Sequence, residues 1–200
     1  MLFPTSPEFA RVHVELMHNN KITETATGFT QSYSNGPARL KIKVEFNKGA
    51  NPAELRSVVA FINRVRGQLT PFTVVIPHLS EGEGVATASP HVLANASNGY
   101  VIRLKNLPHS TLIRRAGDLI QHVPSGNVYM LVEDLISDEN GQADANIATP
   151  LLAPIAANDD IKITDIEITV RLGKDSHKYS YESRDVRSLD SLTFMQHFTQ

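Results

Sequence analysis

The sequence predicts a mainly β protein in two parts: an antiparallel, sandwich-like β domain with one α-helix, and a small OB-type β-barrel inserted into it. Three observations predict this. Apolar and charged side chains alternate with period two near the amino terminus, one segment repeats at helical spacing, and short strand-like runs separated by turn chemistry crowd the middle of the chain. With 200 residues, the chain is long enough to bury a core without disulfide or metal staples.

The clearest strand is Leu40-Lys41-Ile42-Lys43-Val44-Glu45-Phe46, whose alternation gives it one wet face. Val12, Val14 and Leu16 alternate with Arg11, His13 and Glu15 and predict a strand of the same sheet. Asn35-Gly36-Pro37 precedes the 40–46 strand, and the Thr-, Phe- and Tyr-rich stretch 25–34 is expected to form a hairpin with it. A helix over 52–66 has consistent signals. Asn51 can cap it, Pro52 sits where a missing N–H costs nothing, Glu54 holds the capping-box position, and Gly67 supplies a left-handed stop. Leu55, Val58, Val59, Ile62 and Val65 form the apolar stripe. A strand over 72–76 then ends at Pro77.

Glu81-Gly82-Glu83-Gly84 marks a domain boundary. Beyond it, strands are expected around 84–88, 100–104, 118–122, 127–133 and 143–149, with turns at Asn98-Gly99, Ala116-Gly117-Asp118, Pro124-Ser125-Gly126-Asn127 and Asp138-Glu139-Asn140-Gly141. Such spacing suits a closed or partly open barrel, the OB type being one natural candidate. Two more strands follow at 161–163 and 166–172, with a phase slip at Asp165 that reads as a bulge. The last, near 191–198, is expected to return and complete the N-terminal sheet. The domains are then 1–80 with 157–200, and an insertion at 81–156.

The charge balance of 19 Lys and Arg against 21 Asp and Glu, net −2, argues against a basic nucleic-acid binder. Zero Cys removes disulfides, thiolate zinc sites and cysteine nucleophiles, and zero Trp weakens sugar and base stacking. The amino terminus lacks a basic region followed by a long apolar stretch, so no signal peptide or membrane insertion is expected.

No enzyme signature survives. The eight His form no i, i+4 helical pair for zinc, and no cofactor or metal site is expected. Asp138-Glu139-Asn140-Gly141 lacks the spacing of a calcium loop and reads as a solvated turn. Glu133 and Asp134 would point to opposite faces of a strand, so they cannot flank one glycosidic bond. Neither a G-x-S-x-G elbow nor a phosphate loop occurs. Arg114 and Arg115 beside Arg103 and Lys105 form the densest basic cluster of the barrel. Tyr100, Arg103, Arg114, Arg115 and Tyr129 make a candidate ligand face for oligosaccharide or single-stranded nucleic acid, set against the plainer reading of a protected strand edge.

Arg115-Ala116-Gly117-Asp118-Leu119-Ile120, Ser125-Gly126-Asn127-Val128-Tyr129-Met130-Leu131, Asp138-Glu139-Asn140-Gly141-Gln142-Ala143 and Pro150-Leu151-Leu152 follow one another in an order that resembles the distal tail proteins of long-tailed bacteriophages. The likeness is to the two-domain type found on phages of Gram-negative hosts, and in layout it covers nearly the whole chain. In this resemblance Ala116-Gly117-Asp118 makes a tight turn into a strand, while Val128 and Met130 fill a barrel interior opposite Tyr129. It implies a structural virion protein without catalytic residues, made in the bacterial host cytoplasm and built into the tail tip. There a hexameric ring joins the tail tube protein to the hub and receptor-binding tip, and the outer barrel has been suggested to bind host-surface saccharide. A ring needs heterologous interfaces. The apolar arm with Leu2, Phe3 and Phe9 is expected to pack on an adjacent subunit, and a near-neutral charge is compatible with a lumen that conveys DNA. The competing expectations are the OB-type binding module and an enzyme of unrecognised type.

Overall fold

The computed structural model describes residues 1–24, 26–47, 50–82, 84, 88–182 and 185–198, with the backbone alone at 78, 185 and 187. The chain is mainly β, with antiparallel sheets and one long helix. It divides into two compact units, Met1–Val74 with Thr169–His197, and Val75–Ile168 with 198–200. The boundaries expected from the sequence are 80/81 and 156/157.

In the first unit, strands β1 (Phe9–Met17), β2 (Asn20–Glu24), β3 (Thr30–Ser34) and β4 (Arg39–Phe46) lead to helix α1 (Pro52–Val65) and strand β5 (Phe72–Val75). After β5 come the single-turn helix α2 (Pro77–Glu81) and strands β6 (His91–Val92), β7 (Val101–Lys105), β8 (Leu112–Arg114) and β9 (Leu119–His122). These continue as β10 (Val128–Met130), β11 (Leu135–Ile136), β12 (Ala143–Asn146) and β13 (Ile161–Lys162). The chain closes with β14 (Glu167–Leu172), β15 (Tyr179–Glu182), β16 (Asp185–Leu189) and β17 (Leu192–Gln196).

The first unit is organised on a five-stranded sheet of order β1-β4-β17-β14-β5, so the C-terminal strand lies at its centre. Alternation in β4 does what its sequence dictates: Leu40, Ile42 and Val44 are buried, and the charged residues between them face outward. Phe194 of β17 continues the buried face. Asn51 caps α1 by accepting a hydrogen bond from Ala53 N at 3.0 Å, and Leu55, Val58, Val59, Phe61, Ile62 and Val65 are its buried stripe. Helix and sheet meet in an aromatic cluster, with Phe61 5.1 Å from Phe72 and Phe72 5.5 Å from Phe194. The helix ends with both Arg66 and Gly67 left-handed, at φ 54° and 65°. Gln68 N then donates to Asp175 Oδ1 at 2.8 Å, fixing the exit.

Two strand expectations are corrected. Segment 25–34 does not pair with β4. Its strand β3 pairs with β2, and β4 takes β1 instead, because the chain turns around Gly28 (φ 81°) rather than at Asn35-Gly36-Pro37. Asp165 is left-handed (φ 50°), but the phase slip is no bulge: β13 belongs to one sheet and β14 to another. The strand expected at 84–88 lies largely outside the described residues. The hairpin of β15 and β16 escaped the sequence reading, and its Val186 packs with Leu55 and Val59.

The second unit surrounds its own core, which includes Ile102, Leu104, Ile113, Ile120, Tyr129 and Leu135. The expected barrel does not close. Among the described residues its strands form small sheets of order β10-β9-β13, β12-β7-β6 and β11-β8. Left-handed residues at Asn106, Ser110, Gly117, Gly126 and Gly141 interrupt strands of two to five residues, too short for a continuous staggered ladder.

Candidate functional site

β1 and β4 continue through a short break into β2 and β3, making one antiparallel ribbon from residue 9 to 46. At the break Asn35 N donates to Asn19 O at 2.7 Å, and Asn19 Nδ2 donates to Asn35 O at 2.9 Å. The ribbon's two halves meet different surroundings. The proximal half joins the five-stranded sheet, whereas every residue of β2 and β3 is exposed. Ile22 is 72% and Tyr33 51% exposed, and Phe29 near the tip is 73% exposed. An isolated two-stranded hairpin is marginal in water. Its apolar side chains make it a surface suited to cover by another molecule.

The N-terminal arm answers to its own chain. Phe3 N donates to Thr73 O and Thr73 N to Met1 O, both at 2.8 Å, so the arm adds a short parallel bridge to β5. Phe3 is buried against Phe61, Phe72 and Phe194, and Phe9 is half-buried against Phe3 and Phe46. This corrects the expectation that the arm packs on an adjacent subunit: an aromatic slot between helix and sheet already receives it. Leu2 alone of the three points outward, at 54% exposure.

In the second unit, a cleft of about 670 Å³ is lined by Asn95, Ser97, His122, Ser125, Ile155 and Asp159 among others. His122 is buried, with Nδ1 2.8 Å from Ser125 Oγ and Nε2 2.9 Å from Asp159 Oδ2. Asp159 Oδ2 also accepts from Ala156 N at 2.7 Å, and Asn95 Oδ1 from Ala157 N at the same distance. The amide of Ala156 and then the His122 hydrogen bond hold the Asp159 carboxyl below its ordinary range. Ser125 Oγ further accepts from Asn127 N at 3.3 Å. Every polar atom in this chain of contacts serves the turns at 123–127 and 156–160, so the arrangement clamps two loops together. The Pro124-to-Asn127 turn is legible in the sequence but the clamp is not, because Asp159 is remote from His122 along the chain.

The five residues of the supposed ligand face are not brought together on one. Tyr100, Arg103 and Arg115 are exposed, but Tyr129 and Arg114 are fully buried. Arg114 Nε and Nη2 donate to Ile163 O at 3.0 and 2.7 Å, and Nη1 to Ile113 O at 3.0 Å. Burial lowers its pKa while nearby Asp118 opposes that shift. Tyr129 belongs to the core, its phenol pushed up in pKa by burial. The face fails because Arg114 of β8 and Tyr129 of β10 are buried next to buried neighbours, Ile113 and Val128, so neither strand has a wet side there, which period-two reasoning from one strand does not foresee. Met130, expected inside opposite Tyr129, is only half-buried.

The quoted turns form as the sequence requires. Asp118 Oδ2 accepts from Arg115 N at 3.0 Å, and Gly117 is left-handed at φ 94°. Asp138 Oδ1 accepts from Asn140 N and Gln142 N, both at 2.8 Å, so this carboxylate serves its own turn. Among the described residues no group of three or more His, Cys, Asp or Glu could hold a metal ion. No helix of the described chain is long and apolar enough to cross a membrane. Scanned against protein-family models the chain matches none, and a search of curated proteins finds no relative.

Proposed function

We propose that this chain is a structural assembly protein that builds a hexameric ring at the distal end of a bacteriophage tail, between the tail tube and the hub or tip. The observation that carries the assembly reading is the β2–β3 half of the ribbon, fully exposed and bearing Ile22, Phe29 and Tyr33. A folded monomer gains little from projecting such a hairpin into water, whereas a neighbouring copy would bury it. The sixfold order and the tail location rest on the motif resemblance alone. In this reading the protein carries no catalytic activity, and the His122 clamp is structural. The alternative of a saccharide- or nucleic-acid-binding module loses its supposed face with Arg114 and Tyr129 buried.

The test is the mass of the full chain in solution by sedimentation velocity. A hexamer, reduced toward monomer by Ile22→Ser with Tyr33→Ser, is the expected result. A monomer at high concentration, with or without these substitutions, would overturn the reading.

A further inference from the structure

The net charge of −2 conceals a division. Lys and Arg number 14 and Asp and Glu 9 in the first unit, net +5, against 5 and 12 in the second, net −7. In the first unit the positive charge gathers on the face of the five-stranded sheet opposite the aromatic core. Register fixes which residues share that face. Arg11 opposes Glu45, His13 opposes Lys43, Glu15 opposes Lys41 and Met17 opposes Arg39. Lys41 in turn opposes Met195, which opposes Arg171. His197 follows Met195 by two residues, and its amide donates to Thr169 O at 2.8 Å.

The face thus carries Arg11, Arg39, Lys41, Lys43 and Arg171 against Glu15 and Glu45. The two glutamates are engaged, Glu15 with Lys41 at 2.8 Å and Glu45 with Lys43 at 2.9 Å. The surplus lies toward Arg39 and Arg171, where Arg171 Nη1 donates to Gln68 O at 3.3 Å and its buried Nε has no partner. Burial first, and then the nearby Arg171 and Arg39 charges, lower the His197 pKa.

The second unit has a surface of the opposite kind. Segment 132–139 holds Glu133, Asp134, Asp138 and Glu139, all exposed, with no Lys or Arg among them. Beside these acids Val132 and Ile136 are 52% and 59% exposed.

We propose that the cationic outer face of the five-stranded sheet, centred on Arg39 and Arg171, docks the acidic 132–139 segment of a second copy of this chain. The contact is heterologous: one surface meets a different surface of the next copy, and both partners remain able to bind a further copy. Opposite charges steer the encounter and fix its orientation, while Val132 and Ile136 add apolar area beside Met195. Duplex DNA is the less favoured occupant, since the −7 unit of the same molecule would repel it. This contact goes beyond the hairpin-mediated ring and differs from it physically. An apolar hairpin contact persists in high salt, whereas this one is screened.

The experiment is sedimentation velocity of the full chain at about 0.05 M and about 0.5 M salt, spanning strong and weak screening. Three variants are compared with wild type: Arg39→Glu with Arg171→Glu, Glu133→Lys with Glu139→Lys, and the fourfold swap. Far-ultraviolet circular dichroism verifies folding. The wild type should show a component that tightens about tenfold or more at low salt, and each two-residue variant should lose it. Mixing the two variants, or combining all four substitutions, should restore it, because each mixture or swap again pairs opposite charges. Wild-type association indifferent to salt, or a swap and mixture that restore nothing, would overturn the proposal. A hexamer at high salt without the salt-dependent component would sink this contact and leave the ring reading standing. A high-salt monomer that associates at low salt would do the reverse. Salt-dependent binding of a short DNA duplex, competing with self-association through Arg39 and Arg171, would assign the face to DNA and overturn the proposal.

Discussion

Arg114 shows how far a residue's role departs from its chemistry on paper. In sequence it is half of an Arg-Arg pair and suggests an anion-binding surface. In the fold its guanidinium is buried and donates to two backbone carbonyls. Arg114→Ala would strand those carbonyls and leave a cavity, so a loss of about 3 kcal/mol is expected in urea unfolding. His122→Ala should cost about 2 kcal/mol, by removing two hydrogen bonds from a buried site. The Asp159 carboxyl has a folded pKa below its unfolded one, so its stabilisation is complete above the ordinary carboxylate range. That contribution is lost as pH falls through the depressed folded value. Melting temperature should therefore fall further between neutral pH and about pH 3 in wild type than in Asp159→Asn, which has no such carboxylate to protonate. An equal fall in both would show the clamp to be energetically silent. Asp138, held low by the Gln142 and Asn140 amides, was legible as a turn residue because its partners lie within four positions. Asp159 was not, its histidine being 37 residues away.

Among the elements, α1 was the most legible, because capping, stripe and stop are local signals. Asn51→Ala should cost about 1 kcal/mol, measured by thermal melting. Its right-hand boundary differs by one residue from the expected 66, since Arg66 already leaves the helix with a left-handed φ. β4 was equally legible from alternation, but its partner was not. The Thr27-Gly28 turn sets the register of the whole ribbon, and it competes in the sequence with the louder Asn35-Gly36-Pro37. The hairpin of β2 and β3 yields a separable prediction. Ile22→Ser with Tyr33→Ser touches only exposed positions, so the melting temperature of the monomeric fold should move by only about a degree or two. A larger drop would mean that the hairpin stabilises its own chain rather than an assembly. In the second unit β7, β9, β10, β12 and β13 fall on expected segments, whereas β6, β8 and β11, of two or three residues each, are too short to show a period in the sequence. The barrel they were expected to close was not, since closure depends on ladder continuity that no single strand encodes.

At the scale of the whole molecule, the net charge hides an asymmetry, because the near-neutral chain joins a unit of net +5 to one of net −7. The first unit draws its central strand from the C-terminus, so its sheet cannot be completed until the last residues are available. A chain truncated before Leu192 should therefore lose the five-stranded sheet, seen as the disappearance of its cooperative unfolding transition. The return of the C-terminal segment to this sheet is expected from the sequence, but its partner is not, because β17 pairs with β4 across roughly 150 positions. We propose that copies of this protein associate through the exposed ribbon into a closed sixfold ring. Negative-stain electron microscopy of the purified full-length chain tests it most directly. Annular particles with six repeated densities, lost in the Ile22→Ser, Tyr33→Ser variant, are expected. Uniform single particles of about 22.0 kDa mass at high concentration would contradict it.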